Sequence, residues 1–303
     1  MDNEDDTKMD NEDDTKMDNE DDTKMDNEDD TKIALENDMK AFTMRDSDLR
    51  LLEKQNSRFV PEFKANKLEV DAARNWDLFY KRNQTKFFKD RHWTTREFNE
   101  LIGEPGSVSA DDQKPDKCQD SMQGRQKTLL EVGCGVGNFV FPLLEDNLNL
   151  FIYCCDFSPR GVEFVKQNEN YDEKRIKAFV CDITTNKLIE ELGEGSVDIV
   201  SMVFVLSAIH PDKHKQVHSF YIIHLYNIFR FGPGSKISEN FYTRQDGTRT
   251  YFFSPEYLES EVSKTGLCIL ENGIIHRRTV NKKEGVDAAR IFLQAKLRKP
   301  EIL

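Results

Sequence analysis

Past residue 126 the chain alternates short apolar runs with segments of helical period. Thr128 to Val132 is an apolar run that ends on a glycine-rich turn, and Phe139 to Glu145 beyond it has the spacing of a helix. Leu150 to Cys155 predicts a second strand, a helix follows from near Pro159, and Lys177 to Cys181 predicts a third strand. Val197 to Leu206 is longer and almost wholly apolar, as suits a strand covered on both faces. Strands that alternate with helices predict an α/β fold, a doubly wound and mostly parallel sheet of Rossmann-like form. Further on, Ser254 reads as an N-cap, Pro255 as the first helical residue and Gly266 as a terminator. Leu267 to Ile275 and Ile291 to Leu297 are candidates for the closing strands.

Upstream the pattern changes. Residues 33 to 57 are polar and weakly periodic, which predicts partial helix. From Val60 to about Leu101, aromatic residues such as Trp76, Phe79, Tyr80 and Trp93 interleave with cations such as Arg74, Arg82, Arg91 and Arg96. Gly103 to Gln126 is rich in Gly, Pro, Ser, Asp and Lys and reads as a flexible connector. The expected division is therefore 1–32, 33–102, 103–126 and a core domain over 127–300.

Charge alters the picture only once its source is found. The chain has 303 residues and a formal net charge of -13, but its first thirty-two residues are four copies of Met-Asp-Asn-Glu-Asp-Asp-Thr-Lys. Of 43 basic and 56 acidic residues the repeats hold 4 and 16, leaving 39 and 40, so the body is close to neutral. Such a body can carry a basic face for nucleic acid. The repeats have no apolar period and read as a disordered acidic arm, either a tandem expansion without a specific role or a shield for that basic face. Deleting residues 1 to 32 is expected to leave the melting temperature unchanged; a fall of several degrees in a thermal melt would mean that the arm docks on the body.

The N-terminus has no signal-like pattern, and no window approaches the ~18 apolar residues of a membrane span. The expectation is a soluble, intracellular protein of the cytoplasm, with the nucleus left open, and no membrane partner. Six cysteines at 118, 134, 154, 155, 181 and 268 form no Cys-x-x-Cys pair and sit partly inside apolar runs, so reduced core thiols are expected.

The strongest local signal is Leu129-Leu130-Glu131-Val132-Gly133-Cys134-Gly135-Val136-Gly137-Asn138, a strand running through a glycine loop into a helix. Glycines let the backbone approach a ligand, and the helix start offers unpaired N–H groups. A dinucleotide fingerprint wants Gly or Ala where Asn138 stands. Taken alone, the loop is also compatible with a structural glycine turn. Asp156 closes the second strand, 23 residues after Gly133, where a carboxylate can take both ribose hydroxyls. Asp182 closes the third and, with Ile183, is placed to meet an adenine edge. Two acids at successive strand ends behind a glycine loop point to an adenosyl pocket.

After the fourth strand comes Phe204-Val205-Leu206-Ser207-Ala208-Ile209-His210-Pro211-Asp212, at the sheet edge where substrate would arrive. His210, His214 and His218 share helical spacing, but with no cysteine or carboxylate cluster to complete a site the reading is a solvent-facing helix and no metal. Two segments suggest RNA. The stretch from Arg74 to Arg96 can stack bases and bind phosphates, or can be an amphipathic helix packed on the core with a solvated basic face. Tyr242 to Tyr251 carries an Asp-Gly turn between strand-like residues and predicts a hairpin presenting Arg244 and Arg249.

Several segments together resemble a known family. These are Asn75-Trp76-Asp77-Leu78-Phe79-Tyr80, Phe87 to Phe98, the Gly133 loop, Cys155-Asp156-Phe157-Ser158-Pro159-Arg160, Phe204 to His210, Asn240 to Phe253, and Thr279-Val280-Asn281-Lys282-Lys283-Glu284-Gly285. They are similar to the methyltransferase-like tRNA 3-methylcytidine methyltransferases, from about residue 60 to Pro300 with one gap, and most like the member that acts on serine tRNA and associates with seryl-tRNA synthetase. The resemblance implies a Rossmann-like class I methyltransferase with an N-terminal RNA-binding extension, S-adenosyl-L-methionine as cofactor, and methylation of N3 of the cytosine at position 32 in the anticodon loop. It further implies that Trp76 and Tyr80 close over the cofactor, Gly133 contacts it, Asp156 holds the ribose, Asp182 and Ile183 the adenine, and Val203 lines the pocket. Arg91, His92 and Arg96 would belong to the tRNA-binding arm.

The chain departs from the family between His218 and Ser238, where about twenty residues are missing, among them a strand and an Arg-Asp-Tyr motif. One internal strand is therefore expected to be absent or replaced, and the apolar run Phe220 to Phe229 either supplies a strand or extends a helix begun near Pro211.

Overall fold

Each short apolar run forms a strand, and the strands pair in the order that a doubly wound sheet requires. The computed structural model describes residues 46–102 and 125–300, apart from 147, 186, 194, 218–221, 227–230 and 282–285. The acidic repeats, the connector up to residue 124 and His218 lie outside the described residues. Strands β1 (Lys127–Val132), β2 (Leu150–Asp156), β3 (Ile176–Val180) and β4 (Ile199–Met202) form one parallel sheet in the order β3-β2-β1-β4. Successive strand residues point to opposite faces, and here both faces are covered. Leu129 lies in one buried cluster with Ile152, Ile176, Val140 and Leu143, while its neighbour Leu130 lies in another with Met202, Leu258 and Leu293.

Helix starts fix where the sheet's C-terminal edge lies. Helix α6 (Val140–Glu145) follows the glycine loop, and α7 (Pro159–Lys166) begins at an N-cap, Ser158, whose Oγ accepts from the Gly161 amide at 3.2 Å. Proline at the first helical position then holds the turn directly after β2. Helix α8 (Lys187–Leu192) follows β3.

The fourth strand is shorter than its apolar run. Pairing with β1 stops at Met202, because Phe204 takes a left-handed conformation (φ 62) and Leu206–Ala208 coils into a 3₁₀ turn. Val203, in a bridge directly after β4, and Leu206, in the turn, are both buried, and an apolar run alone does not separate a buried strand from a buried turn.

The run Phe220 to Phe229 supplies a strand, not a longer helix. Pro211–Gln216 is a 3₁₀ turn, and β5 (Ile222–Tyr226) pairs antiparallel with β10 (Val286–Arg298), which pairs antiparallel with β9 (Cys268–Asn281). The β5-β10-β9 sheet is separate: β5 lies beside β4 but shares no ladder with it. An apolar cavity of about 40 Å³ marks the seam, lined by Phe98, Leu101, Phe139, Met202, Val203 and Ala295 among others. Ser201 Oγ on β4 is buried there and has no hydrogen-bond partner among the described residues. A third sheet, β6 (Lys236–Ser238), β7 (Phe241–Thr243) and β8 (Arg249–Tyr251), is the predicted hairpin with one added strand. Helix α9 (Pro255–Val262) starts at Ser254 as expected, Ser254 Oγ accepting from the Tyr257 amide.

The N-terminal region is helical: α1 (Asp46–Asn56), α2 (Glu62–Val70), α3 (Ala72–Asn83), α4 (Thr94–Glu97) and α5 (Asn99–Ile102). It is stitched to the third sheet by the Val60 amide, which donates to the Lys236 carbonyl at 2.8 Å. Among the described residues no helix is long and apolar enough to cross a membrane. Cys134, Cys154, Cys155 and Cys181 are free thiols in the interior, and Cys268 is free and exposed.

Candidate functional site

The glycine loop is tied down by the strand beside it. The Gly133 and Cys134 amides both donate to the Cys155 carbonyl, at 2.7 and 3.0 Å. A side chain at Gly133 is excluded twice, by φ of +68 and by Val205 Cγ2, which would lie 2.1 Å from a Cβ there. Above Gly135 the hydroxyl of Tyr80 would lie 2.8 Å from a Cβ, so the tyrosine rests directly on the loop.

Asp156, at the end of β2, already holds this loop together. Its Oδ2 accepts from the Gly135 amide at 3.0 Å and its Oδ1 from the Ser158 amide at 2.9 Å. Burial lifts its carboxyl to about 6, against the lowering pull of backbone bonds from Ser158, Gly135 and Phe157. A carboxylate accepts about four bonds, so acceptor capacity remains for a ligand beyond these three backbone donors. Asp182 is exposed after β3 and turns its Oδ1 back to the Thr184 amide at 2.9 Å; the adjacent Ile183 packs against the second core cluster. Val203 is buried where β4 ends.

A lid crosses these strand ends. Helix α3 buries Phe79 and Tyr80, and Trp76, Phe87 and Phe88 close round them, Trp76 meeting Phe79 edge-on at 5.2 Å. The aromatic residues of this stretch are thus a packed cluster, while Arg74, Lys81, Arg82, Lys86, Lys89, His92 and Arg96 face solvent. Three polar staples hold the lid. Asp77 Oδ1 accepts from Ser158 Oγ (2.9 Å) and the Arg160 amide (3.0 Å), Asn75 Nδ2 donates to the Gly247 carbonyl (3.0 Å), and Asn138 Nδ2 donates to the Phe88 carbonyl (3.1 Å) and Asp90 Oδ1 (3.0 Å).

The five cations expected at RNA fall into two groups. His92 and Arg96 are exposed on the lid's outer side. Arg91 instead turns inward, half-buried, its guanidinium 5.8 Å from the centre of the Phe204 ring. The hairpin does not present its arginines either. Arg249 is buried, ion-paired to Glu69 of α2, donating to the Ala208 carbonyl at 3.2 Å and lying over Phe241; Arg244 donates back to the Arg249 carbonyl at 3.0 Å. An arginine on a short antiparallel strand faces whichever side holds its counter-ion, and here that is the interior. The histidines differ likewise from a solvent-facing helix. His214 is fully buried, with Nδ1 3.0 Å from the Tyr257 hydroxyl and Nε2 3.1 Å from the Leu206 and Ile209 carbonyls. Among the described residues no three metal-binding side chains come together.

A profile described as a methyltransferase domain matches residues 130–223. The crystal structure of a SAM-dependent methyltransferase from Anabaena variabilis superposes with a TM-score of 0.51 at 14% identity, covering 75% of this chain and 95% of that one, a likeness of fold. Mouse tRNA N(3)-cytidine methyltransferase METTL6 is 47% identical over 266 residues, spanning 82% of this chain and 88% of its own. The Schizosaccharomyces pombe tRNA N(3)-methylcytidine methyltransferase trm141 is 38% identical over 253 residues, 78% of this chain and 95% of its own. This chain belongs to the tRNA N(3)-cytidine methyltransferase family.

Within this tRNA N(3)-cytidine methyltransferase homologue, sequence reasoning missed the residues that hold the lid. Asn75, Asp77 and Asn138 have no charge pattern or period that marks them, although Asn138 stood out as unsuited to a dinucleotide loop. Arg96 is one of the lid's exposed cations. Arg96→Ala is expected to lower tRNA affinity and reduce the slope of log K against log salt by about 1; equal slopes for variant and parent in a salt titration would return this face to ordinary solvation.

Proposed function

We propose that this chain transfers the methyl group of S-adenosylmethionine to N3 of a cytosine in tRNA. The observation that carries the reading is the glycine loop under Tyr80, closed by the Asp156 carboxylate, in a chain of this family. The residues fit the cofactor. Gly133 allows close backbone approach, Asp156 keeps acceptor capacity for the ribose hydroxyls, Asp182 and Ile183 stand where the adenine would reach, Val203 borders the pocket, and Trp76 and Tyr80 cover it. The bound cofactor supplies a methyl group on a sulfonium.

What remains for the protein is alignment and exclusion of water. Cytosine N3 carries an in-plane lone pair and no proton, so no side chain need act as a base. The pairing edge must be exposed first, and a loop base can be flipped out at modest cost. This favours the anticodon loop, and the proposed target is cytosine 32 of serine tRNA, with seryl-tRNA synthetase as a partner that helps present it. Serine tRNA transcripts with cytosine or uridine at position 32, incubated with methyl-labelled cofactor, test this. Label is expected only with cytosine 32, and more when the synthetase is added; equal label on both transcripts would move the target elsewhere.

The seam between β4 and β5 favours a second reading, a tRNA-binding protein that keeps the fold but turns over slowly. An internal strand that loses a ladder leaves backbone donors and acceptors unpaired, and the cavity and Ser201 lie at that place. Restoring the family segment between His218 and Ser238 is expected to raise both turnover and melting temperature. Matching values for the two chains would show the shortened segment to be a competent variant.

A further inference from the structure

The turn that follows β4 takes its shape from side chains behind it. Phe204 has a left-handed backbone (φ 62), which a bulky residue keeps only where its surroundings over-determine it. The carbonyls of Phe204, Leu206, Ala208 and Ile209 are all held by side chains. Ser207 Oγ donates to Phe204 at 3.2 Å, the Arg249 guanidinium to Ala208 at 3.2 Å, and His214 Nε2 lies 3.1 Å from both Leu206 and Ile209. Carbonyls only accept, so Nε2 carries a proton, and in the neutral ring Nδ1 accepts from the Tyr257 hydroxyl at 3.0 Å.

His214 is itself placed by elements other than the turn it grips. Its ring stacks on Phe253 with centres 5.0 Å apart and meets Tyr251 of β8 edge-on at 5.2 Å, while Tyr257 of α9 also shares a hydrogen bond with Tyr251. On its far side the turn bears on the glycine loop. Val205 packs so closely on Gly133 that a Cβ there would lie 2.1 Å from Val205 Cγ2, and the Phe204 ring faces Arg91 of the lid. An apolar residue in place of His214 would fill the same space but release two of the turn's carbonyls. The turn stands at the C-terminal end of β4, the edge at which a parallel sheet receives its ligands.

We propose that His214 is a positioning residue for methyl transfer: by gripping the Leu206 and Ile209 carbonyls it sets Phe204 and Val205 against the glycine loop, and so fixes how the target base meets the methyl group. This role rests on the reading that the chain methylates cytosine N3. That reaction needs alignment and no base, and misplacing the reacting atoms by about 1 Å can cost roughly a hundredfold in rate.

Single-turnover methylation of serine tRNA at saturating S-adenosylmethionine, run with the full chain beside calorimetry of S-adenosylhomocysteine and tRNA binding, tests the role. His214→Leu is expected to slow the rate roughly tenfold or more while both affinities stay within about twofold of the parent. His214→Gln, whose amide keeps a donor for the carbonyls, is expected to restore part of the rate. Because His214 acts through Val205, His214→Gln and Val205→Ala together should cost less than the product of their separate losses. This cycle decides the matter even if His214→Leu does not fold, since losses that simply multiply overturn the role. A parental rate in His214→Leu overturns it too and leaves methyl transfer standing, as does an equal loss in rate and in both affinities. A parent chain that binds cofactor and tRNA but forms no 3-methylcytidine overturns the methyl-transfer reading and the role with it.

Discussion

Asp156→Ala is expected to weaken S-adenosylmethionine binding by at least tenfold, about 1.4 kcal/mol, because charge-assisted bonds to the ribose are lost. The structure adds a second cost. The Gly135 and Ser158 amides both donate to this carboxylate, and removing it leaves two buried donors unpaired at about 1–3 kcal/mol each. The variant should therefore melt lower than its parent as well as bind weakly, and Asp156→Asn, which keeps one acceptor oxygen, should recover part of the stability.

Titration of the same carboxyl gives opposite signs for binding and for stability. Its folded value of about 6 lies above the ordinary value of 3.8, so the free fold takes up a proton more readily than the unfolded chain. The cost of the buried charge is absent below about 4, grows between there and about 6, and is full above it. Lowering the pH through that window thus stabilises the free chain through this group, while cofactor affinity falls because the ionised form is the one that grips the ribose. Calorimetry and melting curves from pH 5 to pH 8 should diverge in this way; affinity that is flat across the window in parent and Asp156→Ala alike would remove Asp156 from the site.

Arg249→Ala is expected to produce a large loss of stability and no change in the salt dependence of tRNA binding. Arg249 is 5% exposed and bridges Glu69 of α2 to the Ala208 carbonyl in the turn after β4. Breaking a buried pair from one side costs roughly 3–5 kcal/mol, and Glu69, which keeps Lys213 at 2.5 Å, places this case toward the lower end. A melting temperature within a degree of the parent, together with a reduced salt slope, would reverse the assignment and put Arg249 at the RNA.

Much of the sheet was legible because each of its first strands is a short apolar run closed by a glycine or an acid, a signal confined to neighbouring residues. The position of Asp156 at the end of β2 was legible for the same reason. What escaped depends on contacts between distant parts of the chain. Nothing local marks Arg249 as buried, since its counter-ion Glu69 lies 180 residues away. The hairpin's charge was visible, but its direction was not. Similarly, the aromatic stretch read equally well as a stacking platform or a packed helix, and the inward cluster of Phe79, Tyr80, Phe87 and Phe88 decides for packing. The end of β4 escaped because Val203 to Leu206 is as apolar as the strand before it, and only the left-handed Phe204 separates turn from strand. The replacement strand was legible as one of two alternatives. The missing ladder beside it was not, because strand formation by Ile222–Tyr226 says nothing about which edge it joins.

Nucleoside mass spectrometry tests the methyl transfer to cytosine N3 most directly. Unmodified tRNA incubated with this chain and methyl-labelled S-adenosylmethionine, then digested to nucleosides, should yield labelled 3-methylcytidine, and Gly133→Ala, whose side chain would strike Val205, should yield none. Label in another nucleoside, or none from the parent chain while it binds cofactor and tRNA, would contradict it.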